Sequence, residues 1–543
     1  MAVLKTTSPD RSTAAPRLAP SKTVPSSRAR IALLNRGILP RNALFLSLNH
    51  PVTSRFNPWS ILSGVMTRRS FLGCCLAGGA WRGFAASGRP NFVFILADDL
   101  GWADTTPYGA DLHETPNLER LAREGVRFTR AYAASPVCSP TRASIQTGKY
   151  PARLRITIWR EAALRGPERR AVITPAVAAD LPHEEVTIAE VLREAGYFTI
   201  HIGKWHLGGA EHYPETQGYD VNIGGSVWGA PATYFWPYRG PFGQAGEYRY
   251  VPGLHLGRSG EYLTDRLTDE ALKMMEAAAG RPFFLNLCYH TVHTPIEGKP
   301  ELVEHYRRRI APGLHHRNAG YAAMVRCLDE NVGRLLRYLD ERGLAANTVV
   351  IFTSDNGGYI NVWRGEQVTD NYPLRSGKGS LYEGGIRVPL IVRAPGCAAG
   401  RTCEEPVCST DFYPTMLELA GLKGDAKHNA TVDGISFAKL LRRPEERLER
   451  DELYFHYPHY YATTTPVSAI LRREGGRQWK LLEYFEGGRV ELYDLAGDPG
   501  EQRDLAQQFP DVVRRLRERL HAWWKQVGAP LPTPNPEARP AAN

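Results

Sequence analysis

The 543-residue sequence predicts an α/β protein: a large, mostly parallel central sheet flanked by helices, with a smaller α+β unit at its C-terminal end. Two observations carry that prediction. Short runs of β-prone apolar residues recur at 92–96, 197–202, 283–287 and 349–352, the mark of strands buried on both faces. Each is followed by a polar cluster, and helical stretches such as 187–194 lie between them. Parallel sheets hold ligands beyond the carboxyl ends of their strands, so four polar clusters are expected along one edge.

In chain order, residues 1–65 are Pro-, Ser- and Arg-rich with little periodicity, and read as a disordered extension or a misassigned start. Met66 opens a twin-arginine export signal over 66–89, with Arg68 and Arg69 ahead of a short apolar run and small residues. The expected localisation is therefore outside the cytoplasm, periplasmic or extracellular, with the twin-arginine machinery as a partner. Of the formal charge of +10, residues 1–65 hold nine bases against one acid and 66–89 add four bases, leaving −2 for the remainder. The high pI thus gives no support to a nucleic-acid partner. No later run approaches the ~18 apolar residues of a membrane span, so no stable span is expected.

A catalytic domain is expected over 90–450, a C-terminal subdomain over 451–528 with strands near 479–482 and 490–493 and a helix over 511–524, and a flexible Pro-rich tail over 529–543. Eight cysteines include Cys74 and Cys75 in the export signal and Cys138 in a motif of its own. Of the remaining five, the close trio Cys397, Cys403 and Cys408 could form one disulfide, and its spacing does not match a zinc site.

Asp98 and Asp99 end the first strand run, and Ser354-Asp355-Asn356-Gly357 ends another. Three carboxylates gathered at one edge would repel by about 4 kcal/mol per pair at ~4 Å and an effective dielectric near 20, so they require a cation. Asp98, Asp99, Asp355 and the Asn356 amide offer hard oxygens, which favours calcium or magnesium over zinc. Lys204 and His206 follow the strand run at 197–202, and His290 and His293 follow the one at 283–287. His201 and His290 read as structural.

The run Cys138-Ser139-Pro140-Thr141-Arg142, closing on Thr147-Gly148, is the most specific motif. Serine before proline fits a helix N-cap and first helical position, which puts Cys138 beside free backbone N–H groups where an anion is favoured. The run resembles the signature of type I sulfatases, in the alkaline phosphatase superfamily, in which that cysteine is oxidised to formylglycine. The resemblance covers most of 90–510. Residues 196–207, ending Gly203-Lys204-Trp205-His206-Leu207, resemble the second sulfatase signature, and 491–499 resemble the family's C-terminal ending.

The resemblance implies an alkaline-phosphatase-like fold and hydrolysis of sulfate monoesters by a formylglycine hydrate at residue 138. It implies one divalent cation, calcium first and magnesium second, held by Asp98, Asp99, Asp355, Asn356 and an oxygen of modified Cys138. Arg142 would orient residue 138, Lys204 and His206 would hold and activate the hydrate, and His293 and Lys378 would bind sulfate and assist departure of the alcohol. Ser226 is a weak counterpart for a further sulfate contact. A formylglycine-generating enzyme is an implied partner. The segment 218–238 is similar to bacterial polysaccharide sulfatases, which implies a sulfated galactose or N-acetylgalactosamine unit at a chain end. Trp228, residues 234–238 and 456–461, including His456 and Tyr457, are candidate sugar contacts. The competing readings are a phosphonate or phosphate ester hydrolase of the same superfamily and a catalytically silent binder of sulfated glycans.

Overall fold

Asn91–Ala97 (β1) is buried at every position, and its side chains divide by parity between two cores. Phe92, Phe94 and Leu96 join one cluster, whereas Val93, Ile95 and Ala97 join the other, so the strand is covered on both faces. The computed structural model describes residues 88–243 and 246–538. The 1–65 extension and all but the last two residues of the expected export signal lie outside the described residues.

The other strands of the central sheet are Val126–Tyr132 (β2), Phe198–Gly203 (β3), Val221–Ile223 (β4), Phe283–Cys288 (β5), Thr348–Ser354 (β6), Arg387–Arg393 (β7), Arg401–Cys403 (β8) and Val407–Cys408 (β9). Their order is β8-β2-β7-β6-β1-β5-β3-β4, with β9 also beside β2. β1 pairs in parallel with β5 and β6, and β3 with β5 and β4. β7 runs antiparallel to both neighbours, so the sheet is mixed, as a mostly parallel one allows. The registers Ala97 to Ser354, Leu96 to Cys288 and Gly203 to Cys288 bring the carboxyl ends of β1, β3, β5 and β6 to one edge.

Helices cover the sheet as the intervening patterns predict. Ile188–Glu194 begins at an N-cap, Thr187, whose hydroxyl accepts from the Glu190 amide while the Glu190 carboxylate answers the Thr187 amide. Leu263–Ala277 and Ala319–Glu341 pack their apolar faces on the Val93 side, and Phe412–Ala420 packs on the Phe92 side. Within the described residues no helix is long and apolar enough to cross a membrane.

The C-terminal unit is an antiparallel sheet of Glu452–Tyr457, Val467–Glu474, Arg477–Tyr484 and Val490–Asp494, with the helix Pro510–Val527 on one face. The other face packs Phe455, Tyr457 and Leu482 against Tyr132, Leu381 and Ile386 of the larger unit. The tail differs from the free segment expected. Thr533–Pro534 pairs with Val172–Ile173, and the Pro530 carbonyl lies 2.9 Å from His456 Nε2. Cys397, Cys403 and Cys408 are free thiols, not a disulfide.

Candidate active site

The helix carrying the cysteine motif spans Cys138–Thr147, buried throughout and ended by Gly148 in the left-handed region at φ 72°. It begins two residues earlier than the Ser-Pro pair predicts. Val137 is the cap, Cys138 the first helical residue, and Ser139 spends its hydroxyl on the His206 carbonyl at 2.8 Å. Cys138 still faces the helix N-terminus, and its sulfur lies 3.8 Å from Asp98 Oδ1. Burial pushes its thiol up to about 12, so the unmodified side chain is a poor nucleophile near neutrality.

Behind Cys138, three carboxylates and three cations interlock. Lys204 Nζ lies 2.9 and 2.7 Å from the Asp98 oxygens, Lys378 Nζ 2.6 Å from Asp99, and Arg142 Nε 2.8 Å from Asp355. Arg142 also donates to the Lys204 carbonyl at 2.8 Å, which ties the cysteine helix to the end of β3. His293 Nε2 stands 3.5 Å from Asp99 Oδ2. Gly379, at φ 91°, lets the loop bearing Lys378 pass beneath Tyr461, where a Cβ would meet the ring at 2.0 Å.

The residues present fit a hard divalent cation. Burial, opposed by Lys204 and reinforced by Asp355 and Asp99, pushes the Asp98 carboxyl up to about 8, whereas the cations beside them hold Asp99 and Asp355 below the usual carboxylate range despite burial. Asn356 donates its amide nitrogen to Asp99 Oδ1 at 2.9 Å, while its own Oδ1 is buried with no partner. Asp98, Asp99, Cys138 and His293 each offer an atom within 4.8 Å of the others, and Asp355 adjoins them by accepting from the Asp99 amide at 3.2 Å. Carboxylate and amide oxygens in this arrangement suit calcium or magnesium.

In front of Cys138 opens a cavity of about 210 Å³. Cys138, His206, His293 and Lys378 line it; Trp159, Phe242 and Tyr461 supply aromatic surface, and Glu161, Arg165 and Arg249 supply charge. No motif or periodicity signals this last group. Glu161 and Arg165 lie on the short helix Arg160–Arg165, and Arg249 on the hairpin of Arg239–Phe242 and Glu247–Tyr250, segments without a motif. Most of the expected sugar contacts are packing residues. Tyr234, Tyr238 and Tyr457 are fully buried, and His456 bonds Ser468 and the Pro530 carbonyl. Tyr234 donates to the His293 carbonyl at 2.9 Å and so braces that loop. Ser226 sits behind His206, accepting its amide at the main chain, and is not part of the cavity wall. His201 bonds the Gly203 carbonyl and Asn286, a structural role as expected.

A second buried grouping, Asp104, His113 and His316, carries a countercharge of its own. Asp104 accepts from Gly101, Tyr321 and Thr369, and His316 stands between it and Asp111, at 3.3 and 2.6 Å. Although burial opposes it, those two carboxylates raise His316 to about 9, so a protonated histidine balances the charge.

A family model described as Sulfatase matches residues 90–422, and one described as N-sulphoglucosamine sulphohydrolase, C-terminal, matches 377–526. The chain belongs to the sulfatase family. A sulfatase from Formosa agariphila is 32% identical over 514 residues, covering 82% of this chain and 90% of that protein. N-acetylgalactosamine-6-sulfatase from Canis lupus familiaris is 33% identical over 480 residues, covering 80% and 86%. Among solved structures, Ps i-CgsB in complex with k-i-k-neocarrahexaose superposes with a TM-score of 0.66 at 29% identity, covering 80% of this chain and 92% of that one. This sulfatase is accordingly an enzyme of the sulfuric ester hydrolase class, and its fold is the alkaline-phosphatase-like one the resemblance implies.

Proposed function

We propose that this sulfatase hydrolyses sulfate monoesters on a carbohydrate, with Cys138 converted to formylglycine and a calcium or magnesium ion held by Asp98, Asp99, Asp355 and Asn356. The observation that carries the reading is the position of Cys138: first residue of a buried helix, at the floor of a cavity, with the oxygen cluster directly behind it. The hydrated aldehyde supplies two geminal hydroxyls, one to attack sulfur and one to release the sulfate afterwards. The ion, when bound, supplies Lewis-acid polarisation of the sulfate oxygens.

The side chains divide the remaining work. Arg142 fixes Asp355 and the end of β3, and so the orientation of residue 138. Lys204, on Asp98, and His206 hold the nucleophile; Lys378 and His293 face the sulfate. His293 Nδ1 is 2.8 Å from the Thr294 carbonyl, which leaves Nε2 to protonate the departing alcohol. Burial pushes that ring down to about 3, and an anionic ester beside it favours the protonated form. Accelerations of about 8 to 23 kcal/mol exceed what one donor contributes, roughly 2.7 to 4, so several groups must act together.

For the substrate we propose a sulfated galactose or N-acetylgalactosamine at a chain end. Support comes from the small cavity with its aromatic walls and from the names of the relatives above. Export through the twin-arginine route, after modification by a formylglycine-generating enzyme, belongs to the same proposal. It predicts that replacing Arg68 and Arg69 by Lys leaves the protein in the cytoplasm, as fractionation would show.

The deciding experiment is the mass of the peptide containing residue 138, from protein made in a host able to modify it. An aldehyde, followed by turnover of sulfated galactosides, supports the reading; intact cysteine in the native host overturns it and favours a silent glycan binder. Faster turnover of phosphonate than of sulfate esters would instead reassign the reaction.

A further inference from the structure

His206 lines the cavity with Cys138, and its ring is gripped from two sides. Its Nε2 is 2.7 Å from Glu161 Oε2, while Gly229 packs so closely that a Cβ there would meet the ring at 2.3 Å. Its Nδ1 is buried and has no hydrogen-bond partner. Glu161 is itself held: the Gly229 amide donates to its Oε1 at 3.3 Å, and Arg249 stands 3.5 Å away. Arg249 is aligned by Glu247 at 2.7 Å and lies over the Phe242 ring at 4.1 Å. A carboxylate accepts only from a protonated nitrogen, so this arrangement selects one tautomer.

We propose that Glu161 is a positioning residue that fixes His206 as the Nε2–H tautomer and leaves the Nδ1 lone pair to accept a proton from the nucleophile at residue 138. The inference rests on the sulfatase reading for its catalytic meaning and on the ring geometry alone for the tautomer. A neutral imidazole held this way can act as a base through Nδ1 only.

The test pairs nitrogen NMR with kinetics on the full chain. With 15N-labelled histidine, and the His206 signals assigned from His206→Gln, Nδ1 is expected to show the shift of an unprotonated ring nitrogen in the wild type. Glu161→Ala is expected to move the ring towards a mixture of tautomers and to lower kcat for an aryl sulfate about 10- to 100-fold, with KM changed far less, and Glu161→Gln to recover part of the loss because its amide oxygen still accepts. A wild-type ring protonated at Nδ1, or an unchanged kcat in both variants, overturns the proposal. If Glu161→Ala does not fold, the isosteric Glu161→Gln and the wild-type spectrum decide alone. If the wild type carries the aldehyde yet turns over no sulfate ester, the sulfatase reading fails while the tautomer remains measurable.

Discussion

Asp104 lies five residues beyond Asp99, and a histidine, His316, stands against its charge at 3.3 Å. His316 is 3% exposed, and its folded value of about 9 lies above the ordinary 6.5. The stabilisation is therefore fully present below about pH 6.5 and is lost as pH rises through about 9. His316→Gln is expected to cost on the order of 3 kcal/mol at pH 6 and much less at pH 10, read from urea unfolding at both values. The Asp98 cluster differs, because beside its carboxylates the buried Asn356 Oδ1 has no donor and suits a cation. Removing divalent ions with a chelator is expected to lower the thermal midpoint, with calcium or magnesium restoring it. Asn356→Ala should weaken that restoration about tenfold or more in ion concentration. A midpoint indifferent to chelation would remove the ion from the site.

The helix Cys138–Thr147 and the C-terminal tail show how an element acquires its position. The helix is buried on every side because Arg142 ties it to β3 and β6 and Ser139 to the His206 loop, so the motif fixes its own surroundings. The tail from Ala529 to Ala538 is Pro-rich, which reads as flexible, but its backbone finds an edge at Val172–Ile173 and its Pro530 carbonyl satisfies a buried histidine. Truncation after Gly528 is expected to leave His456 Nε2 without a partner and to cost about 1 to 3 kcal/mol in urea unfolding. Equal stability of the truncated chain would make the tail a passive passenger.

At the scale of the whole molecule, the two sheets are joined by buried charge as well as by apolar packing. Lys480, fully buried in the C-terminal sheet, sits 2.9 Å from both Glu383 and Glu501. Glu383 leads into β7 of the central sheet, so one ammonium group links the units. Lys480→Met would leave two carboxylates buried together and is expected to cost about 3 to 5 kcal/mol. Because the described residues belong to one compact unit, calorimetry should show that loss in a single transition, not as early melting of the C-terminal sheet.

The sequence by itself determined the sheet and the floor of the site. Apolar runs such as 92–96 are local, and the polar pairs that follow them, Asp98-Asp99 and Asp355-Asn356, must meet once the strands run parallel. The cysteine motif was legible for a similar reason, since its chemistry is carried by consecutive residues. The walls of the cavity were not. Glu161, Arg249 and Tyr461 come from three segments far apart in the chain, and no periodicity links them. An aromatic residue that contacts sugar and one that fills a core have the same local sequence, so Tyr457 and Tyr461 looked alike. Only tertiary packing buried the first completely and left the second facing the cavity, because burial is a property of the neighbours a fold supplies and not of the residue.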